Sequence, residues 1–369
     1  MTSMRLDSIC YINLEWIFVP FVPRGRGSFV TVVEMLDALN FAYGQPKSSG
    51  QIKSFPDDFC VVEHLGFELT SEGEHLFLLI EKKLLNTEDM VNIIARTLCL
   101  PPKVISYAGL KDKYAKTTQW FSVHLPGVAD PDLDGLTTDN YQLLKAVRHN
   151  KKLKIGALKG NHFIIKMNDF DYDENELFKR IDTIRAHGVP NYFGPQRFGH
   201  QGGNLERAKE VLLENKKIKS RHLRGMYFSA ARSFLFNQIL SRRVGEGNWN
   251  LPLNGDLMML VGNHSVFQID MVDDELMQRA RENDISPAAP LWGTGKKRVT
   301  GQALHIQNLA LEPWQDWCVA LERHGLQGSY RSMVLLPEDL QFRENVFTFT
   351  LPAGAYATTV LRELLTSNT

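Results

Sequence analysis

An α+β fold is the class this sequence predicts, on three observations. Strand-like runs recur between about residues 58 and 168, helix-forming segments take over from about residue 190, and strand-like sequence returns at residues 333–336 and 345–351 before a helix after Gly354. The change of texture in the middle predicts a second domain. A chain of 369 residues that is 43% apolar is long enough to build a sizeable core and two such units.

The elements follow in order. Residues 58–65 and 75–82 are rich in Val, Phe, Leu and Ile and are separated by Thr70-Ser71-Glu72-Gly73, turn chemistry between two strands. Thr87 can cap a helix that puts Met90, Ile93, Ile94 and Leu98 on one face and ends at Pro101-Pro102. Residues 104–107 and 118–125 read as strands around a turn at 109–116, so Asp112 is expected to project from a rigid sheet edge. A loop of Gly, Asp, Pro and Thr covers 127–140, strands follow around 142–148 and 162–168, and a helix from about 173 to 187 ends at Gly188. Helices are then expected at roughly 204–215, 229–244, 272–283 and 313–324, with short strands near 257–269. No internal repeat is present.

Net charge is zero and the pI is near 7.2, so no whole-molecule field steers a polyanion. The charge is nevertheless segregated. Residues 143–166 hold Lys145, Arg148, Lys151, Lys152, Lys154, Lys159 and Lys166 with no acid, and 216–224 add Lys216, Lys217, Lys219, Arg221 and Arg224. A basic run is more often a solvated face than a binding site, yet two in a neutral chain suit a phosphate-tracking surface. Cys10, Cys60, Cys99 and Cys318 lie far apart, three of them in apolar surroundings that suggest small core residues. With no CxxC or HExxH spacing, neither a disulfide framework nor a zinc site follows, and a reducing cytosol is the natural compartment. The apolar run at 14–22 contains Glu15 and Pro20 and is too short to span a bilayer, and no signal-peptide pattern precedes it.

Residues 107–121, YAGLKDKYAKTTQWF, carry the chemistry. They set Asp112 between Lys111 and Lys113 in a glycine-containing turn. Opposite charges close by keep a carboxylate ionised, and the same lysines can meet phosphates. Taken alone, a Lys-Asp-Lys turn is usually solvated surface. This segment resembles the signature of the TruD family of pseudouridine synthases, whose catalytic aspartate matches Asp112. Residues 51–66, 153–163, 189–199, 229–239 and 351–363 resemble further family blocks in the family's order, and six ordered blocks are far more specific than any one.

The resemblance implies a pseudouridine synthase catalytic core at 36–186 and 336–369, a mixed, largely antiparallel sheet with flanking helices, and an inserted α/β TRUD domain at 187–335. It implies isomerisation of uridine to pseudouridine in tRNA, the usual bacterial target being position 13 of the D arm, with no cofactor and no metal. Asp112 acts at the ribose, as nucleophile or as base. Phe59, Asn161, Phe163 and Tyr356 are implied to hold the extruded base, and Lys53 to pair with Asp112. On pattern alone Phe59 and Phe163 would be core residues and Asn161 a turn residue. Tyr356 stands where the family more usually has Phe. Tyr114 stands where a basic side chain or His is expected, which puts a phosphate contact there in doubt. The PNYFGPQRFG block, with two aromatics and Arg197, suits stacking and phosphate contact and a packed domain junction equally. No protein partner is implied, and a monomer is the default.

Residues 1–35 match none of these blocks, and Met35 begins a natural-looking start. The expectation is an upstream start codon set wrongly or a disordered arm. Two other classes compete. A binding module would share the basic runs but gains nothing from an acid between lysines, which repels phosphate. A nucleoside-type hydrolase would recruit a second carboxylate, for which Asp57 and Asp58 are at hand.

Overall fold

The computed structural model describes residues 38–263 and 265–367, so the expectation for residues 1–35 and the placement of Cys10 lie outside the described residues. The first part of the chain forms β1 (Ser49–Gln51), β2 (Phe59–Leu65), β3 (His75–Lys82), α1 (Thr87–Thr97), β4 (Ile105–Tyr107), β5 (Lys116–His124), β6 (Tyr141–His149), β7 (Leu158–Lys166), β8 (Asn168–Asp171) and α2 (Glu174–His187). There follow β9 (Val189–Pro190), α3 (Gly203–Leu212), α4 (Arg221–Gly245), β10 (Leu257–Leu260), β11 (Val266–Gln268), α5 (Asp274–Arg281), β12 (Ile285–Leu291), α6 (Gly301–Leu311), α7 (Gln315–Arg323) and β13 (Ser329–Ser332). The chain then runs through β14 (Val334–Leu335), β15 (Glu338–Arg343), β16 (Val346–Pro352), α8 (Ala357–Leu364) and β17 (Thr366–Ser367).

The large sheet has the order β15-β16-β7-β2-β5-β3-β6, with β4 also on β5. Only β2 and β5 run parallel within it; every other pair is antiparallel, as the mixed, largely antiparallel expectation has it. Strands β2 and β4 share one edge of β5. β2 pairs with its start, Cys60↔Lys116 to Val62↔Thr118, and β4 with its far half, Tyr107↔Phe121 to Ile105↔Val123. Asp112 therefore leaves from the middle of the sheet rather than from its edge, which corrects the sequence expectation.

Register puts Phe347, Phe349 and Leu351 of β16 on one face with Ile165, Phe163 and Asn161 of β7 and Phe59, Val61 and Glu63 of β2. Thr117, Gln119 and Phe121 of β5 and Lys82, Ile80 and Leu78 of β3 continue that face. At one end its aromatics pack on Leu177, Ile181 and Ile184 of α2 and Val360 and Leu364 of α8. At the other, Leu78, Ile80 and Phe121 pack on Met90, Val91 and Ile94 of α1. Burying each of these side chains contributes roughly 1.5–3 kcal/mol. Between the two apolar clusters the same face turns polar, with Asn161, Glu63, Thr117, Gln119 and Lys82 in a row.

Helix α1 starts one residue earlier than Thr87 capping would have it. Asn86 is the N-cap, accepting from Asp89 N at 2.8 Å while the Asp89 carboxylate accepts from Asn86 N at 3.1 Å. Helix α4 begins eight residues before the expected 229, because Ser220 caps it by accepting from Leu223 N. Strand β12 was not expected, its sequence ISPAAPL holding two prolines. It pairs with β10 through Ile285–Pro287 and with β13 through Ala288–Leu291, one neighbour at a time, which leaves a free side for each missing N–H. Helix α6 was missed as well; its N-cap, Thr300, makes no side-chain capping bond.

The strands β11-β10-β12-β13 form a second, antiparallel sheet, and α4 and α7 bury Phe228, Phe234, Phe236, Trp317 and Leu321 beside it. Strands β9 and β14 form a two-stranded ladder, Val189↔Leu335 and Pro190↔Val334, where the chain passes out of the large sheet's elements and back. The PNYFGPQRFG block packs at this junction: Tyr192, Phe193 and Phe198 are buried, so its aromatics serve the joint. Of the described cysteines only Cys318 is a core residue; Cys60 is half-buried and Cys99 exposed. Among the described residues no helix is long and apolar enough to cross a membrane.

Gly188 ends α2 at φ 74 and ψ −163, a conformation open essentially to glycine alone, and a Cβ there would meet Leu335 O at 2.6 Å. Gly188→Ala is expected to destabilise the fold by about 1–3 kcal/mol, read as a lower urea midpoint.

Candidate active site

Continued in register, the β4–β5 ladder would pair Ala108 with Trp120 and Gly109 with Gln119. Two side chains interrupt it. The Trp120 N–H donates instead to the Glu63 carboxylate of β2 at 2.8 Å, and the Gln119 amide donates to Gly109 O at 2.8 Å. Thr87 Oγ1 accepts from Lys111 N at 2.9 Å and donates to Gln119 Oε1 at 3.1 Å. Gln119 and Thr87 are buried, so these bonds are made away from competing water and hold the loop at Gly109 and Lys111. The loop thus lifts off β5 and presents Asp112 over the polar row.

The Asp112 side chain keeps 40% of its surface exposed. Its Oδ1 accepts from Tyr114 N at 3.0 Å, and Lys53 Nζ donates to its Oδ2 at 2.5 Å. Burial alone would raise this carboxyl, but the Lys53 bond and charge, the Tyr114 N–H and the charge of Lys82 outweigh it, and the group is held below its ordinary value. Lys53 itself sits at φ 63, left-handed for a residue with a Cβ, with its ammonium 4.3 Å from the centre of the Phe59 ring.

The flanking lysines do not play the part expected of them. Lys111 turns inward, its Nζ 3.0 Å from Glu63 Oε1 and 2.5 Å from Asn161 Oδ1, and Lys113 is exposed. Burial pushes the Glu63 carboxyl up, against the charge of Lys111 and the Trp120 N–H. Lys82, only 1% exposed, donates to Leu85 O at 2.7 Å. Burial, then the charge of Lys111, pushes its ammonium down to about 8 against the pull of Glu63 and Asp112. Three ammonium groups thus face two carboxylates in one recess, a balance suited to an anionic substrate.

The other singled-out residues fall around this row. Asn161 lies opposite Glu63 in the β2–β7 register, its Oδ1 taken by Lys111. Phe59 and Phe163 are buried in the adjoining apolar cluster, in edge contact at 6.1 Å, with Phe163 stacked on Phe349 at 5.6 Å. Tyr356 is the N-cap residue of α8, where its ring meets Phe193 edge-on at 6.0 Å. Tyr114 is exposed beside Asp112. Sequence reasoning missed Glu63, Lys82, Thr87's hydroxyl role and Gln119. A signal existed for Glu63: period-two alternation puts it on the same inward face as Phe59 and Val61, where an acid needs a partner. In the basic runs Lys145, Lys151, Lys152, Lys154, Lys159 and Lys166 are exposed, whereas Arg148 pairs with Asp130 at 2.6 Å and Lys216 with Glu210 at 2.8 Å.

The model of the family described as tRNA pseudouridine synthase D (TruD) matches residues 35–220 and 216–364. The chain belongs to the TruD family. A Legionella pneumophila protein named tRNA pseudouridine synthase D is 51% identical over 329 residues, covering 88% of this chain and 97% of the relative. One of the same name from Aeromonas hydrophila is 42% identical over 335 residues, covering 90% and 95%. A crystal structure from Methanosarcina mazei, provisionally titled tRNA pseudouridine synthase D, superposes with a TM-score of 0.66 over 89% of this chain and 97% of that one; at 22% identity it speaks for the fold. The TruD family isomerises uridine to pseudouridine in tRNA. The Thr87–Gln119 pair, bonded to the loop at Lys111 N and Gly109 O, holds the Asp112 loop in place. Thr87→Val is expected to slow single-turnover product formation on tRNA on the order of 10–100-fold by letting the loop shift, with the fold retained by circular dichroism.

Proposed function

We propose that this chain is a cytoplasmic tRNA pseudouridine synthase that acts on uridine 13 of the D arm, with Asp112 as the group that works at the ribose. The observation that carries the reading is Asp112 itself, an accessible carboxylate held ionised by Lys53 at 2.5 Å above a polar row on an otherwise apolar sheet face. The N1–C1′ bond of the uridine breaks, the uracil turns, and a C5–C1′ bond forms, with the C5 proton replaced on N1, so no cofactor enters. One ionised carboxylate suffices, by attack on C1′ or by removal of a ribose proton. Either path needs the nucleotide out of the RNA stack.

Asn161 supports base holding because its Oδ1 is occupied by Lys111, which leaves the amide N–H₂ to donate to a uracil carbonyl. Phe59 and Phe163 lie in the apolar cluster beside the polar row, and Tyr356 offers a half-buried ring from the α8 side. The choice of position 13 rests on family membership. The catalytic domain at 36–186 and 336–369, with 187–335 inserted, is supported by the β9–β14 ladder at the two crossings. Hydrolysis is disfavoured by the state of its second acid. Asp58 is buried and accepts from Phe55 N and Asn168 Nδ2, both at 2.8 Å, while Asp57 pairs with Lys83 at 2.7 Å.

Purified protein added to bulk tRNA from cells lacking this modification should form pseudouridine at position 13, and Asp112→Asn should lose at least about 10²-fold in rate while binding tRNA normally. Product at another position would refute the site assignment, and free uracil as the product would refute the isomerase reading.

A further inference from the structure

Three arginines gather on the α8 side of the recess with no carboxylate partner among the described residues. Arg197 and Arg331 lie over the same Phe193 ring, their guanidinium carbons 5.6 and 4.1 Å from its centre. Arg197 donates to the hydroxyls of Ser229 and Ser233 on α4, one turn of helix that also carries Arg232. Arg232 donates to Leu291 O at 2.7 Å, Gln327 O at 2.8 Å and Ser329 Oγ at 3.2 Å, and its Nε is buried without a partner. Arg331 reaches Gly354 O at 3.1 Å and Asn191 Oδ1 at 2.5 Å. All three are half-buried, and the exposed residues Gln196, Gln327, Ser329 and Gly354 border them, so the cluster opens to solvent.

Like charges brought together out of water destabilise one another. Burial, and then the charge of Arg197, lowers the guanidinium of Arg232, and Arg331 is driven down to about 10 by burial first, with Tyr356 opposing and Arg197 adding to it. Among the described residues every hydrogen-bond acceptor of the three is a neutral oxygen, which fixes their planes without cancelling their charge. Such a set retains forked donors for an external anion, and arginine's planar fork fits phosphate oxygens.

We propose that Arg197, Arg232 and Arg331 form a binding site for one phosphodiester of the RNA substrate, next to the nucleotide that reacts. This rests on the synthase reading, since it takes the anion to be RNA. Arg331 is bonded to Gly354, whose backbone is at most about 7 Å of extended chain from that of Tyr356, and it lies over the Phe193 ring that Tyr356, proposed to hold the base, meets edge-on. A phosphate gripped there would fix the backbone while the base turns into the recess, giving register on the strand without reading sequence.

The test is tRNA affinity between 50 and 300 mM KCl, roughly the range over which phosphate contacts are lost, for the wild type, Arg197→Gln and Arg232→Gln, with thermal melts to confirm folding. Each folded variant is expected to bind about 10-fold more weakly at low salt and to flatten the slope of log affinity against log salt by about one. Unchanged affinity and slope in folded variants would overturn the proposal. So would a rise in the wild-type melting temperature with inorganic phosphate, lost in the variants, if the tRNA slope did not change; that would assign the cluster to a free anion. Product formation by the same wild-type preparation reports separately on the synthase reading. Product with unaltered slopes overturns only the arginine site, and altered slopes without product overturn only the synthase reading.

Discussion

Strand β5 offers one edge to two partners, and the geometry of the recess depends on how they divide it. β2 takes the first three residues in parallel and β4 takes the far half antiparallel. At the changeover the backbone of β5 has an N–H at Trp120 that neither strand's backbone satisfies, and Glu63 supplies the acceptor. A carboxylate buried for that purpose needs a cation, and Lys111 provides it. The loop must then come down over the sheet to bring Lys111 inward, which leaves the next residue, Asp112, accessible above the polar row.

This chain of dependence explains why the polar groups lie where they do. Helices α2 and α8 cover one end of the sheet face and α1 the other, and both interfaces are apolar. The strip between them is buried as well, so its polar and charged groups cannot be left unpaired without a large desolvation penalty. Glu63, Lys111, Asn161, Gln119 and Thr87 meet that demand by bonding one another. Lys53 reaches Asp112 from a left-handed backbone position against the Phe59 ring, so the carboxylate's charge is set by a residue remote in sequence.

Much of this was legible in the sequence, for identifiable reasons. The strand at His75–Lys82 and the end of α2 at Gly188 were read closely because alternation and a glycine stop are local signals. Asp112 stood out because the motif around it resembles a family signature and stands in the family's order with five other blocks. What the sequence hid was direction. Charge alone does not tell whether Lys111 points at its neighbour Asp112 or at Glu63, forty-eight positions earlier, and the inward turn follows from the β5 edge, a tertiary fact. Strand β12 was hidden by its prolines, which a strand tolerates only when its neighbours are staggered as β10 and β13 are. The junction role of Tyr192 and Phe193 was equally beyond local pattern, because aromatics beside glycines serve a joint and a stacking platform alike.

Lys53, rather than the adjacent lysines, is what holds the Asp112 carboxyl below its ordinary value. The decisive measurement is the pH dependence of single-turnover pseudouridine formation in the wild type, Lys53→Met and Lys113→Met. Because the folded carboxyl lies below its ordinary value, the ionised form persists as pH falls, and activity is lost only as pH drops through that lowered value. Lys53→Met is expected to move the acid limb to higher pH and Lys113→Met to leave it in place. An acid limb that moves with Lys113→Met and not with Lys53→Met would contradict that role of Lys53.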